Sequence, residues 1–329
     1  MIGYFPVVTI SVRRLTARAV SGAVLGAVLA ATLVGCGTDD GGGTGAGASS
    51  GTKARPPVSA SPAKPPVPAP AGKPSPSAPS ASAAPGPGTA ARQAPPTIAP
   101  GPGGRTAVFE RGAASSGKVV ALTFDADMTA DQGPRAARGE HFDNPQLIAT
   151  LRRLKVDATV FMTGRWAEEY PDQARSIGTD PLFEIANHSY SHYAFAAPCY
   201  GLPTVARGDM AADVRRAFDA FRRAGARNVV PYFRFPGGCY DDDALRALAP
   251  AKVTAVQWDV VSGDAFAKDG DAVAEQVLAG VKPGSLVVMH CTRSAAPVTE
   301  RAIRRIVPEL RARGYRFVKV SELMAGART

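Results

Sequence analysis

Aromatic residues are scarce in this sequence, at 7% of the chain, and residues 37–104 have none. The same segment holds 16 of the 29 prolines and 13 of the 34 glycines. Such a segment cannot bury enough apolar surface to offset the entropy lost on ordering it. The folding part is therefore residues 105–329, which suffice for one domain with a sizeable core. This composition excludes fibrous, collagen-like and multi-span membrane proteins.

Excess charge of one sign is also small in the folding part, although the whole chain has a formal net charge of +10. Residues 1–36 and residues 37–104 each carry +3 of this, which leaves +4 for the remainder. The basic side chains of that remainder are spread along the chain, which is typical of a solvated surface. We therefore expect no nucleic-acid partner.

The extended apolar run near the N-terminus, residues 19–34, is too short and too rich in Ala and Gly for a good bilayer span. It follows Arg13, Arg14 and Arg18, and this order is typical of a signal peptide. The run ends in Leu-Val-Gly-Cys at positions 33–36, which resembles the lipobox of bacterial lipoproteins, where the cysteine is lipidated. The alternative is a signal peptide with an incidental cysteine.

This N-terminus predicts an exported lipoprotein that is anchored in the cell membrane. We expect residues 1–35 to be the signal peptide and Cys36 to carry the lipid. Residues 36–104 are expected to form a disordered Pro/Ala/Gly/Ser-rich tether with extended, polyproline-like conformations. Residues 105–329 then form a single domain that faces the cell wall.

Short β-branched runs alternate with amphipathic stretches throughout the folding part. The predicted strands are residues 119–124, 158–162, 183–187, 232–235, 254–258, 286–289 and 317–320. The predicted helices are residues 145–154, 167–177, 209–224, 242–248, 271–281 and 297–313. This alternation favours a parallel α/β fold, either a barrel or a doubly wound sheet. In both, the chemistry is expected where strands end.

Polar residues accumulate after five of these strands. The motifs are Thr-Phe-Asp-Ala-Asp at 123–127, Asn-His-Ser-Tyr-Ser-His at 187–192, Arg-Phe-Pro-Gly-Gly at 234–238, Trp258 with Asp264, and Met-His at 289–290. Three of the four histidines of the chain lie in them. His188 and His192 are spaced to bind one ion, and a carboxylate from the first strand would complete three protein ligands. Three ligands leave an open position, as in catalytic zinc sites.

In this order the five motifs resemble those of the polysaccharide deacetylases of carbohydrate esterase family 4, the NodB homology domain. The resemblance covers about residues 118–324 and implies a distorted (β/α)7 barrel. It implies a metal-dependent hydrolase that removes N-acetyl groups from a polysaccharide. The lipid anchor and the tether favour a cell-wall glycan, peptidoglycan above others, and we expect a monomer. The alternatives are an O-acetyl esterase, a chitooligosaccharide deacetylase and a catalytically impaired glycan-binding domain.

The resemblance also implies a role for each site residue. The general base is Asp125, oriented by Arg234, and the general acid is His290, whose pKa Asp264 raises. A divalent ion, expected to be zinc, is held by Asp127, His188 and His192. A backbone N–H near Gly237 holds the oxyanion, and Trp258 and Leu286 either wall the acetyl slot or belong to the core.

The match departs from the family pattern in the first motif. The family has two adjacent acids, the first a base and the second a metal ligand, whereas Ala126 stands at the second position here and Asp127 follows it. The ligand role of Asp127 assumes that the loop bends one residue differently. Otherwise the two histidines and water hold the ion, or Asp125 becomes the ligand.

The cysteines of the folding part suggest one disulfide, because an exported protein meets an oxidising environment. Cys199 follows the histidine motif and Cys239 follows the Arg-Phe-Pro-Gly-Gly motif, so both are expected on one rim. We expect these two to pair, which leaves Cys291 free.

Overall fold

The computed structural model describes residues 94–327, which all lie in the unit Ala84–Thr329. The expected signal peptide, Cys36 and residues 36–93 of the expected tether lie outside the described residues. Among residues 94–327, no helix combines the length and the apolar character that a membrane span requires.

A curled sheet of parallel strands forms the centre of the domain. The strands are β1 (Val108–Phe109), β2 (Val119–Ala126), β3 (Ala158–Met162), β4 (Phe183–Asn187), β5 (Val229–Phe233), β6 (Thr254–Val256), β7 (Val260–Val261), β8 (Ser285–His290) and β9 (Arg316–Phe317). Their order is β1-β6-β5-β4-β3-β2-β8-β7, with β9 also beside β2. The nearly sequential order with parallel pairing is that of a distorted, open (β/α) barrel, as predicted.

Helices cover the outer face of this sheet, except for the last one, whose Val320, Leu323 and Met324 pack in the barrel interior. They are α1 (Gln132–Ala136), α2 (Pro145–Arg153), α3 (Gly164–Glu169), α4 (Pro171–Gly178), α5 (Met210–Arg223), α6 (Asp242–Leu248), α7 (Gly270–Gly280), α8 (Thr299–Ala312) and α9 (Val320–Gly326). On α8, Ile303, Ile306 and Leu310 recur every three or four residues and are fully buried. Fully burying one such side chain contributes ~1.5–3 kcal/mol, which holds the helix on the sheet.

Side chains along each strand alternate between two apolar layers. On β2, Leu122 and Phe124 belong to the layer between sheet and helices, whereas Ala121 belongs to the barrel interior. On β8, Val287 belongs to the outer layer and Leu286 to the interior. This alternation decides which polar side chains enter the barrel mouth.

The helix predicted over residues 167–177 is wrong, because Pro171 divides it into α3 and α4. Tyr170, directly before the proline, has φ −121° and ψ 58°, which is outside the helical region. A proline disfavours that region for the residue before it. Pro171 itself begins α4, where its missing N–H leaves no intrahelical bond unmade.

The strand predicted over residues 232–235 begins three residues earlier and ends two residues earlier, at Val229–Phe233. Pro236 follows, and Gly237 and Gly238 adopt φ values of 65° and 74°, so the chain turns there. A proline ring and two left-handed glycines end an extended strand in this way.

The last predicted strand, residues 317–320, is shorter than expected because α9 begins at Val320. The carboxylate of Glu184 accepts hydrogen bonds from the Ser321 N–H at 3.1 Å and from its hydroxyl at 2.6 Å. The first of these bonds pairs an N–H group that the start of α9 leaves without an intrahelical partner. The two-residue strands β1 and β7 were not predicted, since so short a segment has no readable alternation.

Residues 94–104, which the sequence placed in the tether, contact the domain. The Ile98 N–H donates to Thr254 Oγ1 at 3.0 Å, and the Ile98 side chain packs on the interior layer. A cavity of about 450 Å³ beside them is lined by Pro96, Glu184 and Lys319 among others. Phe183 and Val229, the first residues of β4 and β5, also line it, so this segment lies at the barrel end opposite the polar motifs. The folded region therefore extends upstream of residue 105.

Candidate active site

Four polar residues of the predicted motifs converge where the parallel strands end. Asp125 is the last residue but one of β2, His188 follows β4, Arg234 follows β5 and His290 closes β8. Each lies an even number of residues from an interior residue of its strand. Because side chains alternate along a strand, all four point into the barrel mouth. Asp125 and His290 are direct register partners in the β2–β8 pair.

A buried ion pair lies at the base of this mouth. Arg234 Nη1 donates to Asp125 Oδ1 at 2.6 Å, and Arg234 has no exposed surface. The guanidinium also donates to the backbone carbonyls of Val256 and Gln257. Burial alone would raise the pKa of Asp125, but Arg234, followed by His188, holds that pKa below its usual range. Asp125 is therefore ionised, and its Oδ2 is left facing the histidines.

Asp127, His188 and His192 form a second cluster beside the ion pair. Each offers one ligand atom, and these atoms all lie within 4.8 Å of one another. His188 Nδ1 is hydrogen-bonded to the Arg234 carbonyl at 3.0 Å, which leaves Nε2 for the cluster. His188 Nε2 is also 3.7 Å from Asp125 Oδ2, so the cluster and the ion pair adjoin.

The two histidines reach one point because residues 188–192 form a tight loop rather than a helix. Ser189 and His192 have φ values of 68° and 57°, in the left-handed region. The His192 N–H donates to Ser189 Oγ at 2.9 Å, and the Tyr190 N–H donates to Asp213 Oδ1 at 2.7 Å. Side chains that bond to nearby backbone in this way stabilise non-helical turns.

This cluster fits a divalent metal ion. Asp127 Oδ1 is buried and has no hydrogen-bond partner in the described part of the chain. A buried oxygen of that kind is costly unless something pairs with it. Burial lowers the pKa of His192 to about 4, so its ring is in the neutral form that binds metals. One carboxylate and two imidazoles suit zinc or a similar ion.

On the other side of the mouth, Asp264 and His290 form a hydrogen-bonded dyad. His290 Nδ1 lies 2.8 Å from Asp264 Oδ1, and the His290 N–H donates to Asp264 Oδ2 at 2.8 Å. The hydroxyls of Ser262 and Thr299 donate to the same carboxylate at 2.9 Å and 2.7 Å. Burial would lower the pKa of His290, but the bond to Asp264 and its charge raise that pKa to about 10. His290 is therefore an imidazolium near neutral pH, with a proton on Nε2.

The rim beside Arg234 is built by two cysteines and two glycines. The structure joins Cys199 and Cys239 in a disulfide with a Cα–Cα distance of 6.0 Å. A Cβ on Gly237 would lie 2.6 Å from Cys199 Sγ, and Gly237 has a φ of 65°, so only glycine fits there. A Cβ on Gly238 would lie 2.6 Å from the Trp258 ring, so Trp258 stands at the mouth as well.

The structure places Leu286 deeper in the barrel than His290, in the interior layer on which Trp258 also packs. Leu286 is fully buried in the interior layer, four residues before His290 on β8, which is about 13 Å along a strand. Val288, two residues before His290 and of the same parity, is nearer to the mouth. Cys291 is free and packs in the outer layer, and burial raises the pKa of its thiol to about 12.

The sequence of this chain is similar to those of proteins of known class. The family model of the polysaccharide deacetylases matches residues 112–256. A chitooligosaccharide deacetylase of Sinorhizobium fredii is 30% identical over 198 residues, which are 57% of this chain and 86% of the relative. The chain belongs to the polysaccharide deacetylase family. A peptidoglycan-N-acetylglucosamine deacetylase of Bacillus cereus is 29% identical over 210 residues, 63% of this chain and 88% of the relative.

Solved structures share the fold of this polysaccharide deacetylase. A peptidoglycan N-acetylglucosamine deacetylase has a TM-score of 0.55 at 24% identity and covers 66% of this chain and 92% of its own. A pseudoenzyme of carbohydrate esterase family 4 from Bacillus anthracis has a TM-score of 0.54 at 24% identity, with coverages of 67% and 69%. These likenesses confirm the predicted fold. Because one of them is a pseudoenzyme, fold alone does not decide activity.

Three buried hydroxyl groups of this polysaccharide deacetylase were not predicted as site residues. Ser262 and Thr299 donate to Asp264, and Thr292 accepts the Asp127 N–H at 3.1 Å. Ser262 and Thr292 each lie two residues from a predicted site residue, and that spacing could have drawn attention to them. Thr299 lies on α8, 35 residues beyond Asp264, and no sequence spacing points to it.

Proposed function

We propose that this polysaccharide deacetylase hydrolyses N-acetyl groups of a cell-wall glycan, with peptidoglycan amino sugars as the substrate and zinc as the metal. The observation that carries the proposal is the meeting of three units in one mouth. These are the Asp125–Arg234 ion pair, the cluster of Asp127 with two histidines, and the Asp264–His290 dyad. A base, a metal site and an acid are what amide hydrolysis needs.

The spacing of the two acids supports assigning Asp125 as the base and Asp127 as the metal ligand. Side chains two apart on an extended chain point to the same side, so both acids can face the mouth. Ala126 between them is fully buried in the outer layer. Asp125 Oδ1 is already bonded to Arg234, whereas Asp127 Oδ1 has no partner among the described residues. The displaced second acid therefore retains the geometry of a ligand.

The chain's own groups then divide the proton transfers between them. When bound, a divalent cation supplies Lewis acidity and lowers the pKa of a water toward ~7. Asp125 Oδ2 accepts a proton from the attacking water, while Arg234 holds Oδ1 and keeps the carboxylate oriented. His290 Nε2 donates its proton to the departing amine, and Asp264 holds Nδ1. A backbone N–H near Gly237 would stabilise the oxyanion.

The relatives indicate two candidate substrate classes, since one is a chitooligosaccharide deacetylase and another a peptidoglycan-N-acetylglucosamine deacetylase. A third candidate, a catalytically impaired glycan-binding domain, is motivated by Ala126 and by the pseudoenzyme of the same fold. The complete base and acid argue against it, because binding alone needs neither.

Acetate release is the test. The purified protein is incubated with peptidoglycan fragments, chitooligosaccharides and O-acetylated xylan, each with and without chelator, and then with zinc restored. We expect release from peptidoglycan fragments that stops with chelator and returns with zinc. Faster release from chitooligosaccharides or from the O-acetyl ester would mean that this compound, and not peptidoglycan, represents the substrate. No release from any of them would favour the glycan-binding domain.

We also propose that the enzyme is an exported monomeric lipoprotein, anchored through Cys36 and held off the membrane by the tether. The apolar run before Cys36 and the Pro-rich composition after it support this. Cys36→Ala should move the protein out of the detergent phase in phase partitioning, whereas unchanged partitioning would mean that the apolar run is the anchor.

A further inference from the structure

The ladder between β2 and β8 continues past the strand ends through a side chain. The Cys291 N–H donates to the Asp125 carbonyl at 2.7 Å, which is the last backbone bond of the pair. The Asp127 N–H donates to Thr292 Oγ1 at 3.1 Å instead of to a backbone carbonyl. The bond joins the segment that carries the two acids to the residues directly after His290.

Thr292 is well placed to fix the backbone of Asp127. Its side chain is buried, with 2% exposure, and its carbonyl accepts the N–H groups of Ala295 and Ala296. The other side of the acid segment is held as well, since the Ala126 carbonyl accepts the Thr163 N–H at 3.1 Å. Asp127 is therefore the first residue after β2, and its backbone N–H is bonded to the side chain of Thr292 instead of to a backbone carbonyl.

We propose that Thr292 is a positioning residue for the metal-binding carboxylate of Asp127. Its hydroxyl holds the Asp127 backbone so that the carboxylate stays beside His188 and His192. The second acid can then act as a ligand although it lies one residue later than in the family pattern. This inference rests on the proposed metal site. Residues that orient metal ligands typically contribute about 10–100-fold to metal affinity.

The test measures zinc dissociation constants of the purified full-length chain by chelator competition, with zinc alone as the probe. Thr292→Val keeps the shape of the side chain and removes the acceptor, and we expect the zinc dissociation constant to rise about 10–100-fold. Thr292→Ser restores the oxygen and should stay within about threefold of wild type, which is well inside that range. Thr299→Val is the matched control, since it removes a buried hydroxyl from Asp264 and should leave zinc affinity unchanged.

A double-mutant cycle decides whether Thr292 acts through Asp127. In an Asp127→Ala background, which keeps the backbone N–H and removes the carboxylate, Thr292→Val should change zinc affinity by less than about threefold. An equal loss in both backgrounds would overturn the proposal, as would wild-type zinc affinity in Thr292→Val. If Thr292→Val does not fold, the test rests on the folded Thr292→Ser variant. A zinc dissociation constant about 10–100-fold above wild type in Thr292→Ser would then also overturn the proposal. Failure of the wild-type chain to bind zinc would instead overturn the proposed metal site.

Discussion

The two sides of the barrel mouth differ in how their polar atoms are satisfied. The carboxylate of Asp264 accepts four hydrogen bonds, from Ser262, Thr299 and two groups of His290. Asp127 Oδ1 accepts none within residues 94–327, although it is buried. The hydrogen bonds of Asp264 are complete in the folded chain, whereas Asp127 needs a cation to pair with its free oxygen.

This difference indicates that one side of the site is held in place by the folded chain alone, whereas the other side is built to bind a cation. The dyad is a satisfied network, and such networks hold side chains in one arrangement. The metal side keeps an unpaired carboxylate oxygen beside a neutral imidazole, which is a poor arrangement for stability and a good one for binding a cation. Variants on the metal side should therefore change metal affinity, whereas variants on the dyad side should change proton transfer and leave metal affinity alone.

The largest effect on turnover is expected at Asp125, which adjoins the metal side without belonging to it. Asp125→Asn cannot accept a proton, so kcat should fall ~10²–10⁴-fold at saturating zinc with the metal still bound. Asp127→Ala should instead weaken zinc binding, with activity partly restored by excess zinc. The measurements are kcat at saturating metal and the zinc dissociation constant of each variant. Loss of zinc by Asp125→Asn and its retention by Asp127→Ala would reverse the two roles.

The dyad side makes a prediction about pH. In Asp264→Asn the pKa of His290, raised to about 10 by Asp264, should fall toward the ordinary value of about 6.5. The protonated acid is then scarce above pH 7, so kcat at pH 8 should drop about thirtyfold and the alkaline limb should move to lower pH. Zinc affinity should not change. The pH profile of kcat between pH 5 and 11 checks this, and an unmoved alkaline limb would mean that His290 is not the acid.

The same pKa shift predicts the sign of a stability effect. A histidine whose folded pKa lies above its unfolded value contributes stability below pH 6.5, and this contribution is lost as the pH rises toward 10. The wild-type domain should therefore melt at lower temperature as the pH rises through that window. Asp264→Asn should flatten the dependence, and thermal melting at several pH values would show whether it does.

The sequence predicted the parts of this site that follow from strand periodicity. Asp125, His188, Arg234 and His290 end up together because parallel strands deliver interior-facing side chains to one edge. The strands at 158–162 and 183–187 have their predicted bounds.

What the sequence did not predict depends on contacts between distant elements. Thr299 reaches Asp264 only because the start of α8 lies beside the loop after β7, and no local pattern encodes that approach. The break between α3 and α4 had a local signal in Pro171, which the amphipathic pattern of the stretch outweighed. The interior position of Leu286 also has no signal in the motif, because parity alone does not say how deep a residue lies.

The smallest effect on turnover is expected at the disulfide, whose sulfurs lie beside the Pro236 and Gly237 carbonyls on the rim rather than in the metal cluster or the dyad. His188 is held by the Arg234 carbonyl and the His192 backbone by Ser189, so the metal side does not depend on Cys199 or Cys239.

The double variant Cys199→Ala with Cys239→Ala should therefore keep zinc affinity and most of kcat. Its stability should fall by about 4 kcal/mol, because the bridge closes a loop between residues 40 apart and restrains the unfolded chain. Urea unfolding measures the stability, and chelator competition measures the zinc affinity, with the wild-type chain reduced under mild conditions as the second reference. A fall in zinc affinity that matches the fall in stability would mean that the rim supports the histidine loop, and the metal side would then extend to the disulfide. A stability change without any change in zinc affinity would limit the metal side to Asp127, His188, His192 and the groups that hold them.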